Sequence, residues 1–580
     1  MIGISTFIRL SHETFCDNRD LLKKEDWHVI EVLLDRDDSK LFVSKHKSYP
    51  IVSWSCGDFL VVLEGAIFNY DEEIVVGKLN SIIQAGVPDE EVDRFVSDCD
   101  GDYIVAIKNV TNGDTFIFND ILGNIPINYY YNEKLFVASR SLTYIAIGLP
   151  SIKFSTYNLA ENLTLDYNLH DHTIFEGIHQ TMPAQEIKCR IKEEKVFCEV
   201  RSTYNHSFCV TEPYKNVEEA AKDLASLFLE GCYNRVKYAK DHGYEIVNTM
   251  SGGFDSRTVL GGIDKYTSDF LNVTYEYIQD ESEVAKKVLS KIGTKSKFVK
   301  FSYENNADYK DDRLTFITDG KINSYTNTVC YHDLQYGYLN YFKGKKIMYF
   351  GGFGGEFIRH PYFSSVYNQN NITDRYLSPS LNEVCKVLGI NNKDEKKRIK
   401  SIFTTIPGAK AEEFCKRLYS EYYTKYVRGA GEERMRMFYF TTQPLMAKGF
   451  IMAARNKLPL KWCGFRFYKL FLSHINPALN EIEVYGNKPN IHSSLSLLRS
   501  DYLQKSYVYN KLKYLVKICL HKDAPLYNKD ILLGYINESI DLENYLDKDY
   551  LLSNYSLLGK NFQNKIVTFL QYYKEITKKR

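Results

Sequence analysis

Met250-Ser251-Gly252-Gly253-Phe254-Asp255-Ser256-Arg257 decides how this chain is read. Residues 245–250 have the length and apolar content of a strand, and residues 256–263 open a helix. Gly252 and Gly253 let the backbone approach a polyphosphate with no Cβ in the way. The N–H groups at a helix start point at an anion, and the helix dipole favours negative charge there. Ser251 and Ser256 add hydroxyl donors. Asp255 would repel phosphate unless a divalent cation stood between them, so the motif implies Mg2+. The chain holds no G-x-x-x-x-G-K-[ST] string, so this is not a Walker A loop. A plain glycine turn capping a helix is the rival reading. Placement after a strand, before a helix and within a βαβ series speaks against it.

Outward from the loop the pattern stays βαβ. Residues 271–277, 297–301 and 347–350 read as further strands. Residues 282–292 read as a helix, with Val284, Ala285, Val288, Leu289 and Ile292 on one face and Gly293 as its stop. Strands alternating with helices imply a parallel sheet. Upstream, Val217, Ala220, Ala221, Leu224, Leu227, Phe228, Gly231 and Cys232 recur at helical spacing, with Asn216 as N-cap and Glu219 as the capping-box acid. Residues 203–216 are polar and mark a boundary. Before them come short strands: 27–32, 59–63, 103–107, 115–118 and the strictly alternating 186–191. An Asn112-Gly113 turn lies between the third and fourth. After about residue 365 the chain reads as mostly helical.

The 580 residues correspond to three or four domains, or two large ones, at about 150 residues each. With 74 Lys+Arg against 73 Asp+Glu, the net charge of +1 argues against a nucleic-acid or anionic-membrane partner. The content of 44% hydrophobic and 25% charged residues is that of a soluble globular chain. The apolar runs are too short for a membrane span, and the first residues do not read as a signal peptide. The twelve cysteines include no C-x-x-C pair, so free thiols in a cytoplasmic protein are expected.

The 251–256 loop resembles the pyrophosphate loop of the ATP pyrophosphatase superfamily, in its asparagine synthetase branch. Gly65-Ala66-Ile67-Phe68-Asn69-Tyr70, Asp100-Gly101-Asp102-Tyr103, Asn119-Asp120-Ile121-Leu122-Gly123-Asn124-Ile125-Pro126 and Leu135-Phe136-Val137-Ala138-Ser139-Arg140 look like successive segments of that branch's glutaminase domain. The resemblance implies an α/β and α+β chain. An N-terminal Ntn-hydrolase-like αββα sandwich (1–205) precedes an α/β parallel-sheet, adenine nucleotide alpha hydrolase-like (PP-loop) synthetase domain (206–500). A helical C-terminal extension (501–580) follows. It further implies ATP and Mg2+ as cofactors, and Ser251, Gly252, Gly253, Asp255, Ser256, Val273, Gly351 and Gly352 as nucleotide contacts. Asp255 and Glu356 would bind the metal, and Lys488 would stabilise charge in adenylation. The expected partners are small-molecule or peptide carboxylates and amines, with no nucleic acid and no membrane, and with a homodimer as the assembly left open.

Two departures shape the expected activity. The family's glutaminase uses an N-terminal cysteine, and this chain has Ile2 there, which cannot be a nucleophile. Cys56 is internal and a poor substitute, so Asn69 and Asp100 are expected to remain as structural residues. In Gly351-Gly352-Phe353-Gly354-Gly355-Glu356-Phe357, Phe353 falls on the family's catalytic glutamate, and a phenyl ring does no acid–base work. An amide-forming, AMP-producing ligase without glutaminase activity is the expectation, as in the β-lactam synthetases and lasso-peptide cyclases of the same superfamily. Ammonia-dependent asparagine synthesis and a catalytically silent ATP-binding scaffold are the alternatives.

Overall fold

The computed structural model describes residues 1–11, 14–275, 281–301, 317–319, 334–359, 380–405, 413, 416–417, 419–421, 424, 429–482, 529–539 and 541–579. The N-terminal strands are β1 (Gly3–Arg9), β2 (Val29–Asp35), β3 (Ser39–Lys45), β4 (Ile51–Cys56), β5 (Phe59–Ile67), β6 (Gly101–Asn109), β7 (Thr115–Asn119), β8 (Asn128–Asn132), β9 (Leu135–Ser139), β10 (His179–Gln180), β11 (Gln185–Lys192) and β12 (Lys195–Ser202). They form two six-stranded sheets, ordered β10-β8-β9-β1-β3-β2 and β12-β11-β7-β6-β5-β4, and their pairings are antiparallel.

Alternation explains the layering. Ile4, Ile8, Leu41 and Phe136 from one sheet meet Val62, Ile104, Ile117 and Ile187 from the other in a single cluster. The outer face of the second sheet is covered by α1 (Glu72–Gln84) and α2 (Asp89–Asp98). The outer face of the first carries Phe7, Phe42, Leu135 and Val137, too apolar to meet water. There α3 (Leu142–Gly148) and α4 (Thr156–Leu165) are joined by helices Lys529–Glu538, Lys548–Asn554 and Lys560–Lys579 from the far end of the chain. Lys565 Nζ donates to the Leu163 carbonyl at 2.8 Å, and the Thr143 and Tyr572 hydroxyls bond at 2.9 Å. The described helices of the expected C-terminal extension (501–580) thus share a core with the N-terminal sandwich.

The remaining half is built on a parallel sheet. Helix α5 (Val217–Asp241) starts where its periodicity predicts, and the Asn216 side chain accepts from the Glu219 N–H at 2.8 Å. Glu219 reaches one residue beyond the cap and accepts from the Lys215 N–H at 3.0 Å. Strands β13 (Glu245–Thr249), β14 (Leu271–Tyr275), β15 (Lys297–Phe301), β16 (Ile347–Phe350) and β17 (Phe440–Thr442) order as β15-β14-β13-β16-β17. Helices α6 (Phe254–Asp264) and α7 (Ser282–Ile292) follow β13 and β14. Both faces of the sheet are covered: Ile246, Met348, Phe350 and Phe440 join one cluster, and Val247, Val273, Ile347 and Tyr349 another. That burial accounts for continuous apolar strands. Within the parallel sheet, β17 is the strand the sequence reading missed, three residues inside a stretch expected to be helical. Among the described residues no helix is long and apolar enough to cross a membrane.

Candidate active site

In chain order the parallel sheet reads 3-2-1-4-5, so successive connections leave β13 in one direction and enter β16 on its other side. In open α/β sheets, ligands bind in the crevice outside the carboxyl ends of the strands at this switch point. Two loops emerge there side by side, 251–256 after β13 and 351–355 after β16. They approach so closely that side chains are excluded. A Cβ on Gly352 would lie 2.8 Å from the Ser256 N, and one on Gly355 would lie 2.0 Å from Asp255 Oδ1.

The first loop is internally bonded. The Ser251 and Ser256 hydroxyls bond each other at 2.9 Å, the Ser251 N–H donates to Ser256 Oγ at 3.1 Å, and the Gly253 N–H donates to Ser251 Oγ at 3.1 Å. The Gly252 N–H donates to Glu281 Oε2 at 2.7 Å. A carboxylate therefore holds one of the amides suited to an anion. Arg257, in the first turn of α6 and fully buried, braces the loop from behind. It donates to the carbonyls of Gly252 and Gly253 at 3.1 Å each, and to those of Leu479 and Ile482 at 3.2 and 2.7 Å. The helix starts at Phe254, two residues before the expected start.

Asp255 and Glu356 are brought together by a residue that the sequence reading did not single out. Arg359 Nη2 donates to Asp255 Oδ2 at 3.0 Å and to Glu356 Oε1 at 3.3 Å, and all three side chains are less than a fifth exposed. Burial raises the Glu356 carboxyl above its ordinary range, and the nearby Asp255 charge adds to this. Burial disfavours the Arg359 cation, but Asp255 and Glu356 outweigh it and keep the guanidinium charged. Asp255 Oδ1 is buried and has no hydrogen-bond partner among the described residues. The Tyr468 hydroxyl, bonded to Thr258 at 3.0 Å, is pushed well above its usual range by burial and by Asp255.

The second loop is anchored by Gln443 and Glu432. The Gly351 N–H donates to the Thr442 carbonyl at 3.0 Å, and the Phe353 N–H to Gln443 Oε1 at 2.9 Å. Gln443 Nε2 donates in turn to Glu432 Oε1 at 2.6 Å. Val273, expected as an adenine contact, is fully buried among strand residues, and its carbonyl accepts from the Met250 N–H at 2.8 Å. Lys488 lies outside the described residues. Arg359, Arg257, Glu281, Gln443 and Glu432 are polar side chains that bear on the loops beyond those expected. Glu281 immediately precedes the helix read at 282–292. No signal of spacing marks the two arginines.

In the N-terminal sandwich, residue 2 holds no nucleophile. Ile2 is buried against Tyr49, Ala66 and Phe68. Cys56 ends β4 and packs against the cluster on the opposite, helix-covered side of the second sheet. The Met1 α-amine is paired with Asp319, which also accepts from the Ser141 hydroxyl at 2.8 Å. Asn69 and Asp100 serve the structure. Asn69 Oδ1 accepts from the Asp100 N–H at 2.8 Å, and its amide donates to the Asp98 carbonyl at 3.0 Å. Asp100 pairs with Arg235 of α5 at 3.0 Å and accepts from the Lys448 N–H at 2.8 Å, tying the sandwich to the parallel-sheet half. Asp100→Ala is expected to cost about 3 kcal/mol, because it strands the fully buried Arg235 charge. Urea unfolding of the variant would show this as a lower midpoint.

Comparison with known proteins agrees with the N-terminal half. Residues 41–200 match the family model of a glutamine amidotransferase domain. No curated protein matches the chain. Among solved structures it is similar to glutamine phosphoribosylpyrophosphate amidotransferase from B. subtilis complexed with ADP and GMP. That match has 8% identity and a TM-score of 0.22, over 55% of this chain and 92% of that one, a superposition too loose to bear on the fold. The N-terminal sandwich is thus similar to a glutamine amidotransferase domain over residues 41–200, and it has isoleucine at residue 2.

Proposed function

We propose that the chain is an ATP-dependent, AMP- and pyrophosphate-forming ligase of the PP-loop type. It would join a substrate carboxylate to a nitrogen nucleophile without hydrolysing glutamine itself. The observation that carries this reading is the meeting of the 251–256 and 351–355 loops at the β13–β16 switch point, with Asp255 and Glu356 sharing one guanidinium. The donor set fits magnesium: two carboxylates, one with a buried oxygen lacking a hydrogen bond. Asp255 and Glu356 would hold that ion, which when bound neutralises polyphosphate charge.

The protein's own residues set the terms of binding. At rest Glu281 holds the Gly252 N–H and Arg359 holds both acids. For the loop to take a polyphosphate, and for Asp255 and Glu356 to hold its cation, Glu281 would have to release the Gly252 N–H and Arg359 would have to loosen from the two acids. Arg257 would keep the loop backbone in place through its bonds to the Gly252 and Gly253 carbonyls. Phe353 offers an apolar wall where the resembling family has an acid, which speaks for a carboxylate and amine other than aspartate and ammonia. The filled seats also favour a second reading, a scaffold that binds ATP and does no chemistry.

ATP–pyrophosphate exchange with Mg2+ and a panel of small and peptide carboxylates separates the two. Exchange with one carboxylate is expected, together with no release of ammonia from glutamine. ATP binding without exchange for any carboxylate would favour the scaffold. Arg359→Met provides a readout independent of turnover. Without its guanidinium the two acids lack a counter-ion, so Mg2+ alone should raise the melting temperature of the variant by several degrees and that of the parent much less. Equal shifts would mean that Arg359 does not guard the metal position.

A further inference from the structure

Cys189 and Cys198 are direct partners across the β11–β12 hairpin. The hairpin turns on Glu193 and Glu194, both at positive φ (50° and 57°), as a two-residue type I′ turn requires. Lys192 and Lys195 then close the hairpin as a hydrogen-bonded pair. Pair types alternate from there, so Cys189 and Cys198 fall on a non-hydrogen-bonded pair. In such a pair the Cα atoms are about 4.5 Å apart and the side chains stand close. A disulfide spans Cα atoms about 4.4–6.8 Å apart, so it fits without backbone movement.

Both side chains point into the space between the two sheets. Both are free thiols in the structure. Cys189 is fully buried, while Cys198 is half-buried on β12, an edge strand. Among the described residues no other two cysteines are partners in a strand register.

We propose that Cys189 and Cys198 form a redox modification site, closing to a disulfide in the presence of a low-molecular-weight disulfide such as oxidised glutathione. The more accessible Cys198 sulfur attacks one glutathione sulfur, forming a mixed disulfide and releasing the first glutathione thiolate. The Cys189 sulfur then attacks Cys198 Sγ and releases the second. The two cysteine protons end on the two glutathione thiols, so one glutathione disulfide is reduced for each protein disulfide made. The cross-link fixes β12 to β11 three residues before Arg201, which bonds Glu186 at 2.6 Å and Asp93 at 2.7 Å where the chain leaves the sandwich.

The test treats the folded full-length chain with oxidised glutathione, alkylates the remaining thiols and maps peptides without reduction. The expected result is a cross-linked pair of peptides carrying Cys189 and Cys198, reopened by dithiothreitol and absent in Cys198→Ser. Glutathione retained on Cys198 would overturn the proposal. So would both residues staying alkylatable while the exposed Cys16 is modified. A titration against glutathione ratios guards against a variant that fails to fold. The pair should close at ratios at least about tenfold more reducing in the folded parent than in the same chain in urea, and equal ratios would also sink the idea.

Discussion

Asp255→Asn is expected to lower nucleotide turnover by at least about 10²–10³-fold, the usual loss when a charge-stabilising group is removed from a buried site. The substitution keeps the shape that the close approach of Gly355 demands and removes only the charge. Arg359 would then face Glu356 alone, and the cation expected between the loop and a polyphosphate would lose one of two carboxylates. The loss should appear in kcat and in the Mg2+ concentration needed for half-maximal rate, with ATP binding weakened less. Melting curves taken in parallel separate this from unfolding. Undiminished turnover in a folded Asp255→Asn chain would end the ligase reading at this site.

Acidification from pH 7 to pH 5 is expected to cost the fold about 4 kcal/mol through two histidines alone. His28 and His46 are buried, with ring centroids 5.7 Å apart. The His28 Nε2–H donates to the Met437 carbonyl at 2.9 Å, and the His46 Nε2–H to the Arg436 carbonyl at 2.7 Å. His46 Nδ1 accepts from the Ser48 N–H at 3.2 Å and is thus committed as an acceptor. Burial lowers the His28 pKa to about 3, helped by the neighbouring His46, and burial lowers that of His46 to about 4. The unfolded chain takes up both protons near pH 6.5. Their contribution is therefore complete above that pH and is lost as pH falls towards 4, at about 2 kcal/mol per ring by pH 5. Urea unfolding of the parent and of a His28→Gln/His46→Gln double variant at both pH values isolates the effect. If both proteins lose the same stability on acidification, the pair is not responsible.

The arginines show why part of the site escaped the sequence. Asp255 was read from the glycine loop that follows an apolar strand, and Glu356 only from the family resemblance of the 351–357 segment. Arg359 is 104 residues from Asp255 and meets it only because β13 and β16 are sheet neighbours. Arg235 likewise gives no hint in sequence that it pairs with Asp100, 135 residues earlier. A charged residue on a helix is usually a solvated one, and only packing reverses that expectation.

The sequence by itself determined the β-rich first half, the parallel sheet that follows, the 251–256 loop at a helix start and the lack of a thiol at residue 2. Each depends on chemistry within a few positions or on a period of two or 3.6 residues. The tertiary structure decided which groups fill the loop's seats, Glu281 at the amide and Arg359 between the acids. It also placed the last helices on the first sheet and drew three residues, Phe440–Thr442, into the parallel sheet. Those outcomes follow from burying apolar faces and pairing buried charges across long separations, which local periodicity does not encode.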